Sequence, residues 1–260
     1  QVMPDRSTHG TMRQLRRDVC EAGRRLYQLG FVAANDGNIS ARLADGRVVC
    51  TPTGVSKGFI TDDMLAVCDA EGRQVSGKMA ISSEIAMHLQ IYRQRSDVGS
   101  VVHAHPPTAT GYAVSGLALT ACVLPEVIVN LGRIPLAAYG TPGGDEIVEP
   151  ILPLIRDHDA VLMANHGVVT VGSDPLDAHF KMETVEHFAR IDLVARQLRA
   201  LDRAPTPGLS ADQVAALRER FAVNHPACDL GRPGTEAAPD REHLIEAVTR
   251  EVRRQLGRIK

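Results

Sequence analysis

The stretch Ser100-Val101-Val102-His103-Ala104-His105, closed by Pro106-Pro107, decides how this chain is read. Its β-branched, apolar run predicts a strand, and two prolines end it because proline lacks an N–H for the ladder. Residues i and i+2 of a strand share a face, so His103 and His105 are expected to project side by side. Paired imidazoles are ligand geometry for Zn²⁺ and other borderline divalent ions. A catalytic zinc takes about three protein ligands and keeps a position open. His166 is the third candidate, in the turn Asn165-His166-Gly167 between the runs Ala160 to Ala164 and Val168 to Val171. The pattern His-x-His by itself is more often a chance pair or a strand-end histidine that caps a backbone carbonyl than a metal site.

Outward from this strand, both periods occur. Leu15, Val19, Ala22, Leu26 and Leu29 are spaced for an amphipathic helix that Gly30 stops. Short β-type runs follow at Asn38 to Leu43 and Arg47 to Thr51, and further short strands are expected at Val127 to Val129 and Ile134 to Ala138. Ser82-Ser83-Glu84 opens a helix with Ile85, Leu89 and Tyr92 on one side. A long helix is predicted over about Pro175 to Leu201, with Phe180, Phe188, Ile191, Ala195 and Leu198 as its apolar stripe. Ser210 and Gln213 form a capping box for the next helix. Residues 224–240 read as a linker and the last stretch, with Leu244, Val248 and Val252, as helical. Helices and strands mix without βαβ alternation, which predicts a mixed sheet with helices packed on it.

Composition removes whole classes. The 260 residues are 44% hydrophobic and 23% charged, with a net charge of −2, so neither disorder nor nucleic-acid binding by bulk charge fits. No apolar run approaches the roughly 18 residues of a membrane span, and Gln1 to Gln14 lack a signal peptide's apolar core. Cys20, Cys50, Cys68, Cys122 and Cys228 are odd in number and widely spaced, so no disulfide framework or cysteine zinc site is expected. The expectation is a reduced, cytoplasmic protein. There is no GxGxxG and no P-loop.

Several short motifs suit an anion. Gly37-Asn38-Ile39-Ser40 offers an amide beside a glycine backbone, Thr53-Gly54 a hydroxyl and an N–H, and Ser82-Ser83 lies where a helix begins. Each also reads as an ordinary turn or cap. Lys57 reads as a solvated loop lysine, Glu84 as a first-turn surface glutamate, and His179, Glu183 and His187 as a solvated or interface helix face.

Taken in order, Gly37-Asn38-Ile39-Ser40, Thr51-Pro52-Thr53-Gly54-Val55, Ser82-Ser83-Glu84, Val101-Val102-His103-Ala104-His105 and Asn165-His166-Gly167 resemble the class II aldolase/adducin family from about residue 11 to residue 200. The resemblance is closest to its L-fuculose-1-phosphate aldolase branch. It implies a three-layer α/β/α domain with a mainly antiparallel central sheet, over residues 11–223, followed by a linker and C-terminal helical arm over 224–260. It implies that His103, His105 and His166 ligate Zn²⁺, with Mn²⁺, Co²⁺ or Fe²⁺ as alternatives. Glu84 is then a fourth ligand at rest and the acid/base in turnover, and Asn38, Thr53, Gly54, Ser82 and Ser83 hold a substrate phosphate. The implied assembly is a homotetramer with sites between subunits.

The implied reaction is cleavage of a ketose 1-phosphate to dihydroxyacetone phosphate and an aldehyde through a metal-stabilised enediolate. Related 4-epimerases usually carry Asp where Glu84 stands and Lys-Pro-Ser-Gly in place of Thr51-Pro52-Thr53-Gly54, so this chain follows the aldolase pattern. It departs from that pattern in having no tyrosine near Leu124 to Glu126, and in about 60 residues beyond the compact aldolase. Decarboxylase, epimerase and dehydratase chemistry on the same metal site is the alternative; a non-enzymatic adducin-like module is the third reading.

Overall fold

Leu15, Val19, Ala22 and Leu26 are buried along one side of helix α1 (Met12–Gln28). The Thr11 side chain caps it by accepting from the Gln14 amide, and Gly30, at φ +70°, turns the chain out of it. The computed structural model describes residues 11–201 and 206–230. After α1 come β1 (Asn38–Arg42), β2 (Val48–Cys50), β3 (Ala66–Cys68), β4 (Gln74–Ser76), α2 (Ile85–Gln94), β5 (Ser100–Ala104), α3 (Pro107–Val114) and α4 (Pro125–Asn130). Then follow β6 (Leu136–Ala137), α5 (Leu152–Ile155), β7 (Ala160–Met163), β8 (Gly167–Gly172), α6 (Pro175–Leu201) and α7 (Ala211–Arg220).

The strands form one sheet in the order β4-β3-β2-β1-β5-β8-β7-β6. Every neighbouring pair is antiparallel except β6 and β7, so the sheet is mixed but mainly antiparallel. Alternation along the strands sends Ile39, Val102 and Val168 to one side, where α1, α3 and α6 cover them. Val101, Val161 and Val169 go to the other side, under α2 and α5. These are the three layers the family resemblance implies, and burying both faces explains the nearly continuous apolar strands.

Four expectations are corrected. Val127 to Val129 are helical, within α4, because Pro125 sits in the first turn and Val127 and Ile128 bury their side chains in the cores beneath. The buried stripe of α6 is Ala178, Met182, Val185, Phe188 and Ala189, while Phe180 and Leu198 are exposed. His179 on that helix is fully buried, with Nε2 2.6 Å from Glu183 Oε1, whereas His187 is exposed. Cys122 and Cys228 form a disulfide. Their separation of 106 residues hides the pairing from local sequence. The chain beyond α7 returns to the body, where the Asp229 amide donates to the Thr120 carbonyl. The pair sits in a small apolar cluster with Ile128 and Val214.

The compact unit runs to Leu230, and the predicted C-terminal helix lies outside the described residues. No helix among the described residues is long and apolar enough to cross a membrane.

Candidate active site

The site grows from the ends of the three central strands. Asn38 begins β1, and the sheet register sets it directly opposite His103 on β5. On the other side of β5, His103 faces Val169 of β8. The turn between β7 and β8 carries Asn165 at φ +56°, a left-handed conformation that Asn tolerates, and it aims His166 back at the end of β5. Gly167 follows because nothing larger fits: a Cβ there would lie 2.5 Å from His105 Cδ2 and 2.6 Å from the Ala104 carbonyl. Gly37 is pinned in the same way, with φ +70° and a prospective Cβ 2.8 Å from the His103 carbonyl.

The three imidazoles converge. His103 Nε2 lies 3.2 Å from both His105 Nε2 and His166 Nε2. His103 Nδ1 donates to the Val168 carbonyl at 2.9 Å, which fixes its tautomer and leaves Nε2 with a bare lone pair. Burial holds His103 well below the ordinary imidazole range, with His105 and His166 lowering it further. His166 is also lowered, first by burial, against the pull of the Glu84 carboxylate. His105 Nδ1 lies 3.4 Å from Asp36 Oδ2, and His166 Nδ1 is buried without a hydrogen-bond partner. Where their lone pairs converge at this distance they repel one another unless a proton or a cation lies between them. This donor set therefore fits a divalent ion held by His103, His105 and His166.

Glu84 stands at the N-cap position of α2, and its side chain, which makes no capping bond, brings a carboxylate to the same point. Its Oε2 is 3.5 Å from His103 Nε2 and its Oε1 is 3.5 Å from His166 Nε2. A buried chain orients it. Asn38 Nδ2 donates to Glu84 Oε2 at 2.5 Å, and His88 Nε2 lies against Asn38 Oδ1. His88 Nδ1 and the Tyr92 hydroxyl both meet Ser40 Oγ at 2.7 Å. Burial pushes His88 down to about 3, His103 adding to the shift and Glu84 opposing it, so the ring is neutral. One assignment satisfies every member: Tyr92 donates to Ser40, Ser40 to His88, His88 to Asn38 and Asn38 to Glu84.

Beside the histidines lies a polar cavity of about 230 Å³ whose walls include Asn38, Thr53, Gly54, Ser82, Ser83 and Glu84. Two backbone links assemble it: the Thr53 amide donates to the Ala80 carbonyl, and Pro52 bridges to Ile81. Every sequence-predicted site residue is thus brought to one place. His88 and Tyr92 were not legible as site residues, because a buried polar helix face is indistinguishable in sequence from a solvated one; Ser40, in the Gly37-Asn38-Ile39-Ser40 motif, meets them from β1. Lys57, expected to be solvated, is only 2% exposed and lines this cavity. A larger cavity, about 810 Å³, between α1, α4 and α6 contains none of the three histidines.

Residues 17–193 match the family described as the class II aldolase and adducin N-terminal domain. The chain belongs to the class II aldolase/adducin family. Within that family it is 33% identical over 177 residues to an L-fuculose phosphate aldolase of Methanococcus maripaludis, covering 68% of this chain and 94% of that protein. It is 31% identical over 208 residues to a 3-oxo-tetronate 4-phosphate decarboxylase of Escherichia coli, covering 78% of this chain and 95% of that protein. Among solved structures, an L-fuculose 1-phosphate aldolase superposes with a TM-score of 0.73 at 26% identity, over 83% of this chain and all of that one. Family members named for aldol cleavage and for decarboxylation are therefore similar to this chain to nearly the same degree.

Proposed function

We propose that this chain is a metal-dependent class II aldolase that cleaves an L-fuculose 1-phosphate-like ketose 1-phosphate into dihydroxyacetone phosphate and an aldehyde. The observation that carries the proposal is the meeting of three imidazole nitrogens and the Glu84 carboxylate beside a polar cavity. His103, His105 and His166 would hold the ion, Zn²⁺ by preference of this ligand set, with Mn²⁺, Co²⁺ and Fe²⁺ also accepting it. When bound, it supplies a Lewis acid for the carbonyl oxygen and for the negative charge that C–C cleavage leaves behind.

The chain's own residues do the rest. Asn38 holds Glu84 Oε2, which leaves Oε1 as the oxygen that exchanges a proton with the reacting carbon. Asn38, through its second amide N–H, and Thr53, Gly54, Ser82 and Ser83 hold the phosphate, aided by the amide-rich start of α2, so that remote binding energy becomes alignment at the bond that breaks. The reading includes a domain that runs past the expected boundary at residue 223 to Leu230, cytoplasmic location and a homotetramer with sites between subunits.

Decarboxylation is the second reading, favoured by the longer match to the E. coli decarboxylase. Both reactions break a C–C bond next to a carbonyl and need the same charge stabilised. Purified protein is offered a panel of ketose 1-phosphates, with dihydroxyacetone phosphate followed by coupled NADH oxidation, and 3-oxo-tetronate 4-phosphate, with CO₂ release followed. EDTA-sensitive triose release from a ketose 1-phosphate supports the aldolase; CO₂ release from 3-oxo-tetronate 4-phosphate, which leaves the same three-carbon ketone phosphate, with no triose from any ketose 1-phosphate, replaces it by the decarboxylase.

A further inference from the structure

Lys57 occupies an unusual place for a lysine. It is 2% exposed, and its backbone packs so closely on α1 that a Cβ on Gly23 would lie 2.8 Å from the Lys57 carbonyl. Its Nζ donates to the Asn35 carbonyl at 2.8 Å and the Val55 carbonyl at 2.7 Å. Those carbonyls belong to the two loops that continue into Gly37-Asn38 and lead away from Thr53-Gly54. The ammonium therefore ties together two loops whose residues line the cavity.

Two neutral carbonyls use two of its three N–H groups and leave its charge without a partner. No ion pair joins Lys57 to a carboxylate among the described residues; Asp36 and Glu84 act on it only from a distance. A buried charge is stable only when paired or richly hydrogen-bonded, so this arrangement leaves the ammonium open to an anion. The cavity offers one place for that anion. Among the described residues lining it, Lys57 is the one Lys or Arg, and Asp36 and Glu84 line it as well. A phosphate brought beside two carboxylates needs such a cation.

We propose that the Lys57 ammonium is the fixed counter-charge for the phosphate of the substrate, and that it binds this phosphate while clamping the two loops around it. The proposal rests on the reading that the cavity is the phosphate site. Burial draws the ammonium down to about 8, with Asp36 and Glu84 pulling it back up, so it is mostly charged at neutral pH.

The test uses inorganic phosphate as probe. Its binding to full-length, metal-loaded wild type, Lys57→Met and Ser83→Ala is measured by calorimetry, and metal content and Tm are recorded for each. Met matches the length of the buried stem without the charge. Loss of a charge-assisted hydrogen bond predicts about 10- to 100-fold weaker phosphate binding in Lys57→Met at unchanged metal content. It also predicts a comparable rise in KM for a phosphorylated substrate, with an unphosphorylated analogue little affected.

Phosphate binding equal to wild type, or equal losses for both substrates, overturns the role of Lys57 and leaves the phosphate site standing. Wild type that binds no phosphate overturns the phosphate site and Lys57 with it. Should Lys57→Met not fold, wild type labelled with ¹³C at the lysine ε-carbons answers the question. The resonance that persists in Lys78→Arg, Lys181→Arg and Lys260→Arg belongs to Lys57, and it must shift when phosphate is added; an unmoved resonance refutes the proposal.

Discussion

Acidification should unlock the buried chain behind Glu84, and His88 sets the scale. The ring is 1% exposed and its folded value is about 3, against an ordinary 6.5 in the unfolded chain. The folded state therefore binds fewer protons than the unfolded state between those values. A depressed imidazole leaves stability intact above about pH 6.5 and erodes it as pH falls toward about 3, by about 1.4 kcal/mol per pH unit. Between about pH 8 and about pH 5 the loss from His88 alone is about 2 kcal/mol.

The assay is urea unfolding across this range, in EDTA so that metal release does not contribute, on wild type and His88→Gln. His103 and His166 are also lowered and titrate in both proteins, so the difference between the two slopes isolates His88. His88→Gln will be less stable at every pH, because it breaks contacts with Ser40 and Asn38, but its stability should fall less steeply below about pH 6.5. Equal slopes would refute the claim that His88 is buried as a neutral ring.

Four other outcomes are expected. Glu84→Gln should retain metal, measured by elemental analysis, and lose about 10²- to 10⁴-fold in turnover; near-normal activity excludes Glu84 as acid/base. His103→Ala should lose metal and activity together, and chelation of wild type should lower both activity and Tm. Cys228→Ser should cost about 2–5 kcal/mol, because the disulfide closes a long loop, with protease cleavage near α7 appearing first. Glu186 is 4% exposed and accepts from the Thr108 and Ala109 amides at the start of α3, so Glu186→Ala should cost about 1–3 kcal/mol in denaturant unfolding by orphaning them.

The residues that sequence exposed are those governed by local rules. The period-two spacing of His103 and His105, the turn at Asn165-His166-Gly167 and the helix start at Ser82-Ser83-Glu84 each follow from a few neighbouring residues. What escaped depends on distant parts. Lys57 is buried because Gly23, far earlier in the chain, makes room for it. Cys122 finds Cys228 only once the chain beyond α7 has returned. Val127 to Val129 favour a strand by composition, but Pro125 and packing against α7 make them helical. On α6, Glu186 and Asp192 lie on the buried face because α3 supplies amides and the Tyr112 hydroxyl for them. A stripe drawn from apolar residues alone therefore points the wrong way.

Asn38, His103 and Val169 form a single row across β1, β5 and β8. In that row the same pleat that aims His103 at its neighbours also sends Val102 and Ala104 beneath α1 and α6. A slip of β5 by one residue would drive His103 into that apolar layer and turn Val102 toward the cavity. Chains paired one step out of place therefore cannot assemble the imidazole cluster at all. An ion captured by the three histidines stabilises the correctly aligned sheet and no misaligned one. A divalent ion at the three histidines would then act as a proofreading device in folding.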